Sequence, residues 1–427
     1  MADRKQETKD IFRKIINDPV HGFITIDDPG ILDIIAHPYY QRLRRIRQMA
    51  LAPLIYPGAV HTRLLHSLGA YHLMCRAVDE LRNKGVDISP EEAFAVKAAI
   101  LLHDTGHGPF SHALEHALVK DISHEGVSLK IMQCLDKEMD GKLGLAIRVF
   151  ADQYDKPFLH QLISGQVDMD RLDYLSRDTY FTGVSEGVIG YDRILQMLTV
   201  KDNQLMIEEK GIYSIEKFLI SRRQMYWQVY MHKTVLAAEK MLVKIMLRAN
   251  ELYASGDKNL SIGSSLDFFL GGYTGALHEK ELHLFCQLDD NDIIFAVKKW
   301  SLHPDPVLSL LCQNLLDRNL LKCTLQGDPI DPGLAHTKKQ ELREATGFSD
   351  EMLDYFVFTG KATNTIYKPA EESIKILFKN GKVKDISKVD NALISNTISA
   401  SVGKYYICYP KRSQMERWKT TLKQTPG

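Results

Sequence analysis

Residues 101–112 read Leu-Leu-His-Asp-Thr-Gly-His-Gly-Pro-Phe-Ser-His, and the rest of the fold is organised around this stretch. Three histidines and one aspartate fall within ten residues, around two glycines: His103, Asp104, His107 and His112. Imidazole and carboxylate are common ligands of divalent metals. An adjacent His-Asp pair at a helix end, followed by a glycine break, can direct two ligands into one cavity. The stretch therefore predicts part of a metal site, whose other ligands come from elsewhere in the chain.

Two predicted helices lead into this stretch. Ser89-Pro90-Glu91-Glu92 has the form of a helix start, with Ser as N-cap, Pro at the first position and Glu at the third. The nearly uniform apolar run that follows is typical of a buried helix, and it ends at His103. Another apolar pattern with helical spacing begins at Arg63, and it places Arg63 and His66 on one face.

Two further helices are predicted downstream. Residues 158–177 have a helical pattern, and Asp173 and Arg177 form an i,i+4 pair within it. Three polar side chains, spaced by four, share one face: Asp170, Tyr174 and Asp178. A long helix is predicted from Ser214 to about Tyr253. It carries a stripe of four polar side chains: Arg222, Tyr226, Tyr230 and Lys233. Ser111 is expected to cap a helix of its own.

The remaining patterns predict short helices and strands. Helices are expected at 29–36, at 38–49 and over most of 266–321, and a strand at 23–26 after the turn at 17–19. A hairpin arm is expected at 205–213, an Asn-Gly hairpin at 374–383 and a strand at 405–409. The fold class is mainly α, a helical core with short β hairpins. We predict a first domain over 1–330, with the metal-site core at about 50–180, and a small α+β domain over 331–427.

The bulk composition is that of an ordinary soluble globular protein. The 427 residues are 44% hydrophobic and 25% charged, and the formal net charge is zero. A neutral surface argues against non-specific nucleic-acid binding, so nucleic acid is not a predicted partner. Six scattered cysteines without a CxxC pair favour a reduced, cytoplasmic chain. No apolar run approaches the roughly 18 residues of a membrane span.

The histidines can be read in three ways. Five of the 16 histidines lie between 103 and 124, which is harder to explain as ordinary core or surface positions than a single histidine would be. A structural zinc cluster would more often use cysteine and be closed at four ligands, and no cysteine lies in this segment. The pattern favours an open, catalytic metal site.

The ordered set His66, His103-Asp104 and Asp170 resembles the metal-ligand set of the HD-domain phosphohydrolases. The surrounding motifs at 17–22, 41–46, 63–69, 103–112 and 168–178 look like the deoxynucleoside triphosphate (dNTP) triphosphohydrolase branch of that family. The likeness extends from about residue 13 to about residue 240. It implies that these four residues bind a divalent metal (Mg, Mn, Fe, Zn or Ni) and leave positions open for water and a phosphate oxygen.

The same resemblance implies roles for other side chains. Related enzymes place phosphate-contacting and proton-transferring histidines at three positions: His107, His112 and His124. We take His112 as the general acid and Glu125 as the carboxylate that orients an imidazole, while Glu115 stands where the vertebrate enzyme has Asp. Basic residues for the substrate phosphates are Arg63, Arg222 and Lys233. Residues that hold the sugar and phosphates are Tyr174, Asp178 and Tyr230; core packing is the alternative role for the tyrosines.

The resemblance also implies partners. The vertebrate enzymes are tetramers assembled by activating nucleotides, so a homo-oligomer (dimer or tetramer) and an activating nucleotide are expected here. Four residues match the activator site: Lys14, Asn17, Gln41 and Arg44. Two positions depart from the family pattern. Ala36 replaces the guanine-reading Asp of the activator site, which argues against guanine-specific activation, and Trp227 replaces an Arg, so the base or oligomer contacts there are expected to differ. An oligomerisation or regulatory role is the expectation for residues 331–427.

Three functions are therefore compatible with the sequence. The first is hydrolysis of dNTPs to deoxynucleoside and inorganic triphosphate. The second is HD-type hydrolysis of another nucleotide, such as a monophosphate, a cyclic nucleotide or a signalling nucleotide. The third is a nucleotide-sensing or nucleic-acid-binding protein with a vestigial site, against which the intact ligand set argues.

Overall fold

The chain is mainly α-helical, as predicted. The computed structural model describes residues 13–115, 119, 122–364, 373–389 and 402–424. The α-helices in these ranges are α1 Pro29–Ala36, α2 Pro38–Gln41, α3 Arg63–Asn83, α4 Pro90–Leu102, α5 His124–Glu138, α6 Gly144–Phe150, α7 Pro157–Gln161, α8 Met169–Thr182, α9 Tyr191–Gln196, α10 Ile212–Met225, α11 Lys233–Ala254, α12 Leu266–Phe269, α13 Glu279–Gln287, α14 Asp290–Trp300, α15 Pro306–Leu316, α16 Pro332–Thr346, α17 Asp350–Leu353 and α18 Arg412–Gln424.

The strands form three small sheets. They are β1 Lys14–Asp18, β2 Gly22–Ile26, β3 Leu198–Lys201, β4 Gln204–Glu208, β5 Lys322–Gln326, β6 Phe358–Asn364, β7 Lys375–Leu377, β8 Val383–Asp385 and β9 Val402–Tyr409. The sheet orders are β1-β2, β3-β4-β7-β8 and β5-β9-β6. The Asn-Gly hairpin and the strand at 405–409 are confirmed as β7-β8 and as part of β9.

Helix α3 packs against both α4 and α8, and the three helices position the predicted metal ligands. The capping box at the start of α4 is confirmed, because the Ser89 hydroxyl accepts from the Glu92 backbone N–H and the Glu92 carboxylate accepts from the Ser89 N–H. Gly69 lets α3 approach α8 closely. A Cβ at Gly69 would lie 1.9 Å from an Asp173 carboxylate oxygen, so no other residue fits without moving the helices apart.

Several predicted helix boundaries were wrong. The continuous helix over 158–177 is broken, because α7 ends at Gln161 and α8 begins at Met169 with the Asp168 side chain as its N-cap. The predicted helix over 38–49 is α-helical only to Gln41 and continues as a 3₁₀ turn, Arg42–Arg45. The apolar spacing predicts a helix that continues through residue 168. The Asp168 side chain instead caps a new helix there.

The long helix predicted from Ser214 is also divided. Helix α10 begins two residues earlier, and a π-helical turn, Tyr226–Tyr230, separates it from α11. The His232 imidazole caps α11 by accepting from the Thr234 N–H. π-helical turns are frequent at functional sites. This one places Tyr230 off the regular stripe that the sequence suggested.

Strand β1 was missed at the N-terminus. It pairs with β2 in antiparallel register from Lys14 opposite Ile26 to Asp18 opposite Gly22, so the predicted turn begins at the end of a strand. The predicted arm at 205–213 is confirmed only in part: β4 spans 204–208, and the chain then turns into α10. Asp202 and Asn203 both have positive φ in the β3-β4 turn, as tight hairpins require.

Two of the sheets join residues on both sides of position 330. Strand β7 pairs in parallel with β4, and β9 pairs with β5 over five residue pairs, including Cys323 opposite Cys408. The predicted domain over 331–427 therefore shares its sheets with the preceding part of the chain, and its independence stays a prediction. In the described ranges, every helix is too short or too polar to cross a bilayer.

Candidate metal centre and active site

Three of the four predicted ligands form one cluster. His66 lies in α3, His103 directly follows α4, and Asp170 is in the first turn of α8. One donor atom from each residue lies within 4.8 Å of the others. The Oδ1 atom of Asp170 is 3.0 Å from Nε2 of His66 and 3.4 Å from Nε2 of His103. Helix α3, the end of α4 and the start of α8 thus supply one candidate ligand each.

In both His66 and His103, a hydrogen bond made by Nδ1 orients the ring so that Nε2 faces the cluster. Nδ1 of His66 donates to an Asp173 oxygen at 2.7 Å, and Nδ1 of His103 donates to the Ile100 carbonyl at 2.6 Å. Both Nε2 atoms are buried and have no hydrogen-bond partner in the described part of the chain. Two buried lone pairs beside a carboxylate fit a divalent metal, since buried polar atoms otherwise need partners.

The electrostatics of the cluster favour a cation. Burial disfavours a charged His66 ring, but the neighbouring Asp170 and Asp173 carboxylates outweigh it and raise the pKa of His66 to about 10. Burial likewise opposes ionisation of Asp170, whereas its contacts with His103 and His66 hold the pKa of Asp170 below the usual range. The negative charge of the carboxylates around His66 can be balanced by a bound metal ion as well as by a proton on the ring.

Asp104, the fourth predicted ligand, borders the cluster. One of its oxygens is 3.6 Å from Nε2 of His66, and the other is 3.4 Å from Nε2 of His103. The first oxygen also accepts from the Arg63 guanidinium. Burial works against the charged carboxylate, but Arg63, His103 and His107 hold the pKa of Asp104 well below its usual value. Asp104 is thus an ionised group beside the two histidines, and its role as a ligand stays a prediction.

A pair of stacked histidines lies next to the cluster. The rings of His107 and His124 are 3.9 Å apart and 16° from parallel, and Nε2 of His107 is 3.3 Å from Asp104. Glu115 binds both the Nδ1 and the backbone N–H of His124 at 2.8 Å. Glu125, which we had assigned to orient an imidazole, is 62% exposed and 3.3 Å from the other nitrogen. Glu115 therefore makes the closer, less exposed contact.

The chain is strained at residues 110–111, which follow Asp104 closely. Phe110 and Ser111 both have positive φ, which is costly for residues with a side chain. Ser111 was expected to cap a helix, but it lies inside a 3₁₀ turn, Ser111–Ala113, and its hydroxyl accepts from Arg63 at 2.8 Å instead. His112 belongs to this turn, and its side chain lies outside the described part of the chain.

The predicted sugar-binding residues lie close to one another and to the cluster. The Tyr230 hydroxyl donates to Asp178 at 2.7 Å, and burial together with Asp178 holds the pKa of Tyr230 well above its usual range. Nε2 of His61 contacts the other Asp178 oxygen at 2.7 Å. The Tyr174 ring lies 6.5 Å from His66 and 6.3 Å from Tyr230. Tyr174 thus connects the metal cluster with the Tyr230–Asp178 pair.

The predicted phosphate-binding cations are not all in one place. Arg63 is buried between Ser111 and Asp104, whereas Arg222 is half-buried and donates to Gln166 at 3.2 Å. Lys233 is exposed at the start of α11, and the described residues show no hydrogen bond or ion pair between it and the cluster. Arg63 and Arg222 lie near the cluster, since Asp104 and Asp170 respectively influence them electrostatically.

The sequence reasoning missed three residues of the site. Asp173 had been read only as the partner of Arg177, a pairing the structure confirms at 2.9 Å, but Asp173 also holds His66. His61 had no assigned role. Arg171 follows Asp170 directly and donates to the Gly165 carbonyl at 2.7 Å. The position of Arg171 next to the predicted ligand Asp170 was the sequence feature that could have indicated its place in the site.

Comparison with known proteins agrees with this geometry. The HD domain family model matches residues 63–178, which contain every residue of the metal cluster, and a model described as an HD associated region matches residues 189–261. The chain belongs to the HD-domain phosphohydrolase family.

Individual relatives make the family relation more specific. A crystal structure of a phosphohydrolase from Bacteroides thetaiotaomicron is 49% identical and has a TM-score of 0.89, covering 94% of this chain and all of that one. The uncharacterized protein YwfO of Bacillus subtilis is 33% identical over 93% of this chain and 92% of its own length. The deoxynucleoside triphosphate triphosphohydrolase SAMHD1 homolog of Dictyostelium discoideum is 30% identical over 57% of this chain and 51% of its own length.

Proposed function

We propose that this protein is a metal-dependent dNTP triphosphohydrolase that releases deoxynucleoside and inorganic triphosphate. The observation that carries the proposal is the juxtaposition of the His66–His103–Asp170 cluster with the hydrogen-bonded pair of Tyr230 and Asp178. The printed activity of the Dictyostelium relative supports the substrate class, although the chain spans only about half of that relative.

The reaction transfers the α-phosphorus from the 5′ oxygen to water. Water attacks the α-phosphorus, the bond between phosphorus and the 5′ oxygen breaks, and that oxygen takes up a proton. A divalent ion bound by His66, His103 and Asp170, with Asp104 as a fourth ligand, would supply Lewis acidity and a water of lowered pKa. The protein must also neutralise the phosphates and provide the acid.

The charge of the triphosphate requires cations. Arg63 is positioned by Ser111 and Asp104 at the edge of the cluster, and Arg222 is positioned by Gln166. We assign phosphate binding to both. Arg171 joins them because it adjoins Asp170, and Lys233 would take part only if substrate reaches the start of α11. Arginine suits this role, since its planar fork matches phosphate oxygens.

The proton for the leaving oxygen comes from a histidine. His124 is the best-supported donor among the described side chains, because Glu115 holds its Nδ1 and so makes Nε2, 3.3 Å from Glu125, the nitrogen that can transfer a proton. His107 stacks on His124 and contacts Asp104, so we assign it to phosphate binding. His112 remains a candidate acid from the family resemblance. A carboxylate–histidine pair of this type is a common general acid.

The sugar specificity is assigned to the tyrosines. Tyr174 and Tyr230 present two rings in a T-shaped arrangement, and Asp178 fixes the Tyr230 hydroxyl. An aromatic surface against the 2′ carbon favours deoxyribose, because a ribose hydroxyl there would lose its water without gaining a partner.

A substrate panel tests the proposal. Purified protein loaded with Mn²⁺ or Mg²⁺ is incubated with each dNTP, singly and mixed, with ribonucleotides, and with mono- and cyclic nucleotides. We expect deoxynucleoside and triphosphate from dNTPs and far less product from ribonucleotides. Activity confined to monophosphates or cyclic nucleotides would show that the protein is an HD hydrolase with a different substrate. The absence of product from every dNTP would contradict the proposal.

Assembly and activation are proposed on the family resemblance. Two of the predicted activator contacts are paired with each other, since Arg44 donates to the Gln41 side chain at 2.6 Å and Gln41 donates to the Ile35 carbonyl. Lys14 is exposed on β1. We propose a homo-oligomer whose activity responds to a nucleotide at this surface, with residues 331–427 contributing to assembly; light scattering with and without dNTP tests it.

A further inference from the structure

We propose that the N-terminal hairpin, through His21, positions the metal ligand His66. This inference rests on the proposed metal centre, and it assigns a role in metal binding to a residue that does not touch the metal. The connection is a hydrogen-bonded chain in which one carboxylate, Asp173, joins His66 of α3 to His21 of the β1-β2 turn.

Asp173 is the centre of this chain. Its Oδ2 atom accepts from Nδ1 of His66 at 2.7 Å and from Nε of Arg177 at 2.9 Å. Its Oδ1 atom accepts from Nε2 of His21 at 2.6 Å and from Nη2 of Arg177 at 2.9 Å. Four donors from three elements therefore fix both oxygens, which leaves the carboxylate no freedom to rotate away from His66.

The hairpin is itself held in register with this carboxylate. Oδ1 of Asp18 accepts from the backbone N–H groups of Val20 and His21 at 2.9 Å, which shapes the turn that carries the His21 ring. Oδ2 of Asp18 accepts from Nη1 of Arg177 at 2.8 Å. Arg177 is thus shared between the hairpin and Asp173, and a displacement of the turn would disturb the His21 donor and both Arg177 donors, three of the four at Asp173.

The side chains that form these hydrogen bonds are buried, which makes the loss of any one bond costly. The side chains of His21, Asp173 and Arg177 are fully buried, and that of Asp18 is 1% exposed, so water does not replace a lost donor easily. The His21 ring also contacts Tyr191 and His72 at centroid distances of 5.2 and 5.5 Å, which further restrict its movement.

The consequence concerns the tautomer of His66. A metal needs the Nε2 lone pair of His66, and this requires the proton on Nδ1, facing Asp173. A carboxylate fixed by the hairpin keeps that arrangement and the ring orientation. Loss of a group that supports a ligand in this way typically weakens metal binding about 10- to 100-fold. The hairpin is therefore part of the metal site and not only a packing element.

Three substitutions at position 21 test the inference, with Mn²⁺ as the probe. His21→Leu removes the donor and keeps the bulk, whereas the amide nitrogen of His21→Gln reaches the place of Nε2. We expect Mn²⁺ affinity, measured by electron paramagnetic resonance, to fall about 10- to 100-fold in His21→Leu and to be largely restored in His21→Gln. Thermal unfolding of the same samples separates metal affinity from stability.

A third variant covers the case in which His21→Leu does not fold. His21→Asn is small and polar, but its amide ends near the position of Nδ1, so it should lose affinity as His21→Leu does. Equal Mn²⁺ affinity in wild type, Asn and Leu variants would overturn the inference, as would equal losses in the Gln and Leu variants.

The wild-type and His103→Ala proteins distinguish this inference from the proposed function. If wild type binds no Mn²⁺, or binds it equally without His103, the metal centre and the inference fail together. If Mn²⁺ affinity follows the predicted order at position 21 while no dNTP is hydrolysed, the inference stands and only the proposed substrate is wrong.

Discussion

At the scale of single residues, the site depends on which ring nitrogen of each histidine is occupied. In both His66 and His103, Nδ1 donates a hydrogen bond to a protein acceptor and Nε2 lies next to Asp170. The same division applies to His124, whose Nδ1 is held by Glu115. A hydrogen bond made away from the reacting atoms thus determines which chemistry each imidazole can perform.

Removal of a ligand is expected to abolish metal binding. His103→Ala deletes one of three clustered donors and should reduce bound metal and turnover by at least about 100-fold, more than loss of a supporting group would. Elemental analysis after gel filtration and the dNTP assay measure both effects. His336→Ala, on an exposed part of α16, is the matched control and should change neither. Full activity in metal-free His103→Ala would be incompatible with the account.

Loss of the Glu115 contact is expected to affect turnover more than metal binding. Glu115→Gln keeps the length of the side chain but replaces the carboxylate that holds Nδ1 of His124. We expect kcat to fall about 10- to 100-fold, less than the roughly 100- to 10,000-fold contribution of a general acid because His124 itself is kept, with Mn²⁺ affinity nearly unchanged. Glu125→Gln, at the more exposed contact, should cost less. A larger effect at Glu125 would restore the original assignment.

Individual residues were predictable where a motif placed them and not where a distant contact did. His66, His103 and Asp170 stand in an ordered pattern, and the structure brings them together. The role of Asp173 depends on His21, 152 residues away in sequence, a contact that no local spacing reveals.

At the scale of elements, the close contact between α3 and α8 aligns His66 with its carboxylate partners. Gly69 makes this contact possible, because any Cβ there would overlap with Asp173 and Arg177. At the far end of α4, the capping box fixes the start of the helix that ends at His103. The ligands are thus held by helix packing and by helix ends.

A methyl group at position 69 should open the site. Gly69→Ala forces α3 and α8 apart, and we expect a destabilisation of about 3 kcal/mol together with weaker Mn²⁺ binding. Gly144→Ala in α6 is the control, since its Cβ would meet nothing within 4 Å, and its stability should be unchanged or slightly higher. Urea unfolding of both variants measures the difference; equal stability would argue against the close contact.

The charge of Glu92 should stabilise the fold only above acidic pH. Burial opposes its ionisation, but Tyr154, the Ser89 N–H and Lys156 lower the pKa of Glu92 below its ordinary value of 4.5. Its contribution is therefore present above that value and lost as the pH falls through the lower pKa of the folded state. We expect Glu92→Gln to cost about 1 kcal/mol at pH 7 and progressively less below pH 4.5. A cost that does not vary with pH would contradict this.

The boundaries of helices and hairpins were predictable where local side chains form a cap or a turn. They were less predictable where a helix is interrupted. The box at Ser89 and Glu92 and the Asn-Gly turn are local signals, and both are confirmed. The break before Asp168 and the π-helical turn at Tyr226–Tyr230 lie inside segments whose apolar spacing continues, so periodicity alone could not show them.

At the scale of the whole molecule, the C-terminal part is joined to the core by strand pairing. Strand β9 lies between β5 and β6, and β7 pairs with β4 in the sheet β3-β4-β7-β8. The Lys404 ammonium lies 4.3 Å above the Trp227 ring in the π-helical turn, which links β9 to the segment that carries Tyr230. Sequence composition changes near residue 330, but the pairing of distant strands is a property of the folded chain.

This connection predicts cooperative unfolding of the two parts. Backbone amides of β5 and β9 should show similar protection in native-state hydrogen exchange, because each strand protects the other. Exchange of β9 with a much lower opening free energy than β5 would indicate that residues 331–427 unfold independently.

The central claim is that the His66–His103–Asp170 cluster supports attack of water on the α-phosphorus of a dNTP. Metal-loaded protein and its His103→Ala variant, each turned over in ¹⁸O-labelled water, allow a direct measurement by mass spectrometry and ³¹P NMR. We expect inorganic triphosphate carrying one ¹⁸O and unlabelled deoxynucleoside from the wild type, and at least about 100-fold less of both products from the variant. Orthophosphate or diphosphate as the product, or equal turnover by the variant, would contradict it.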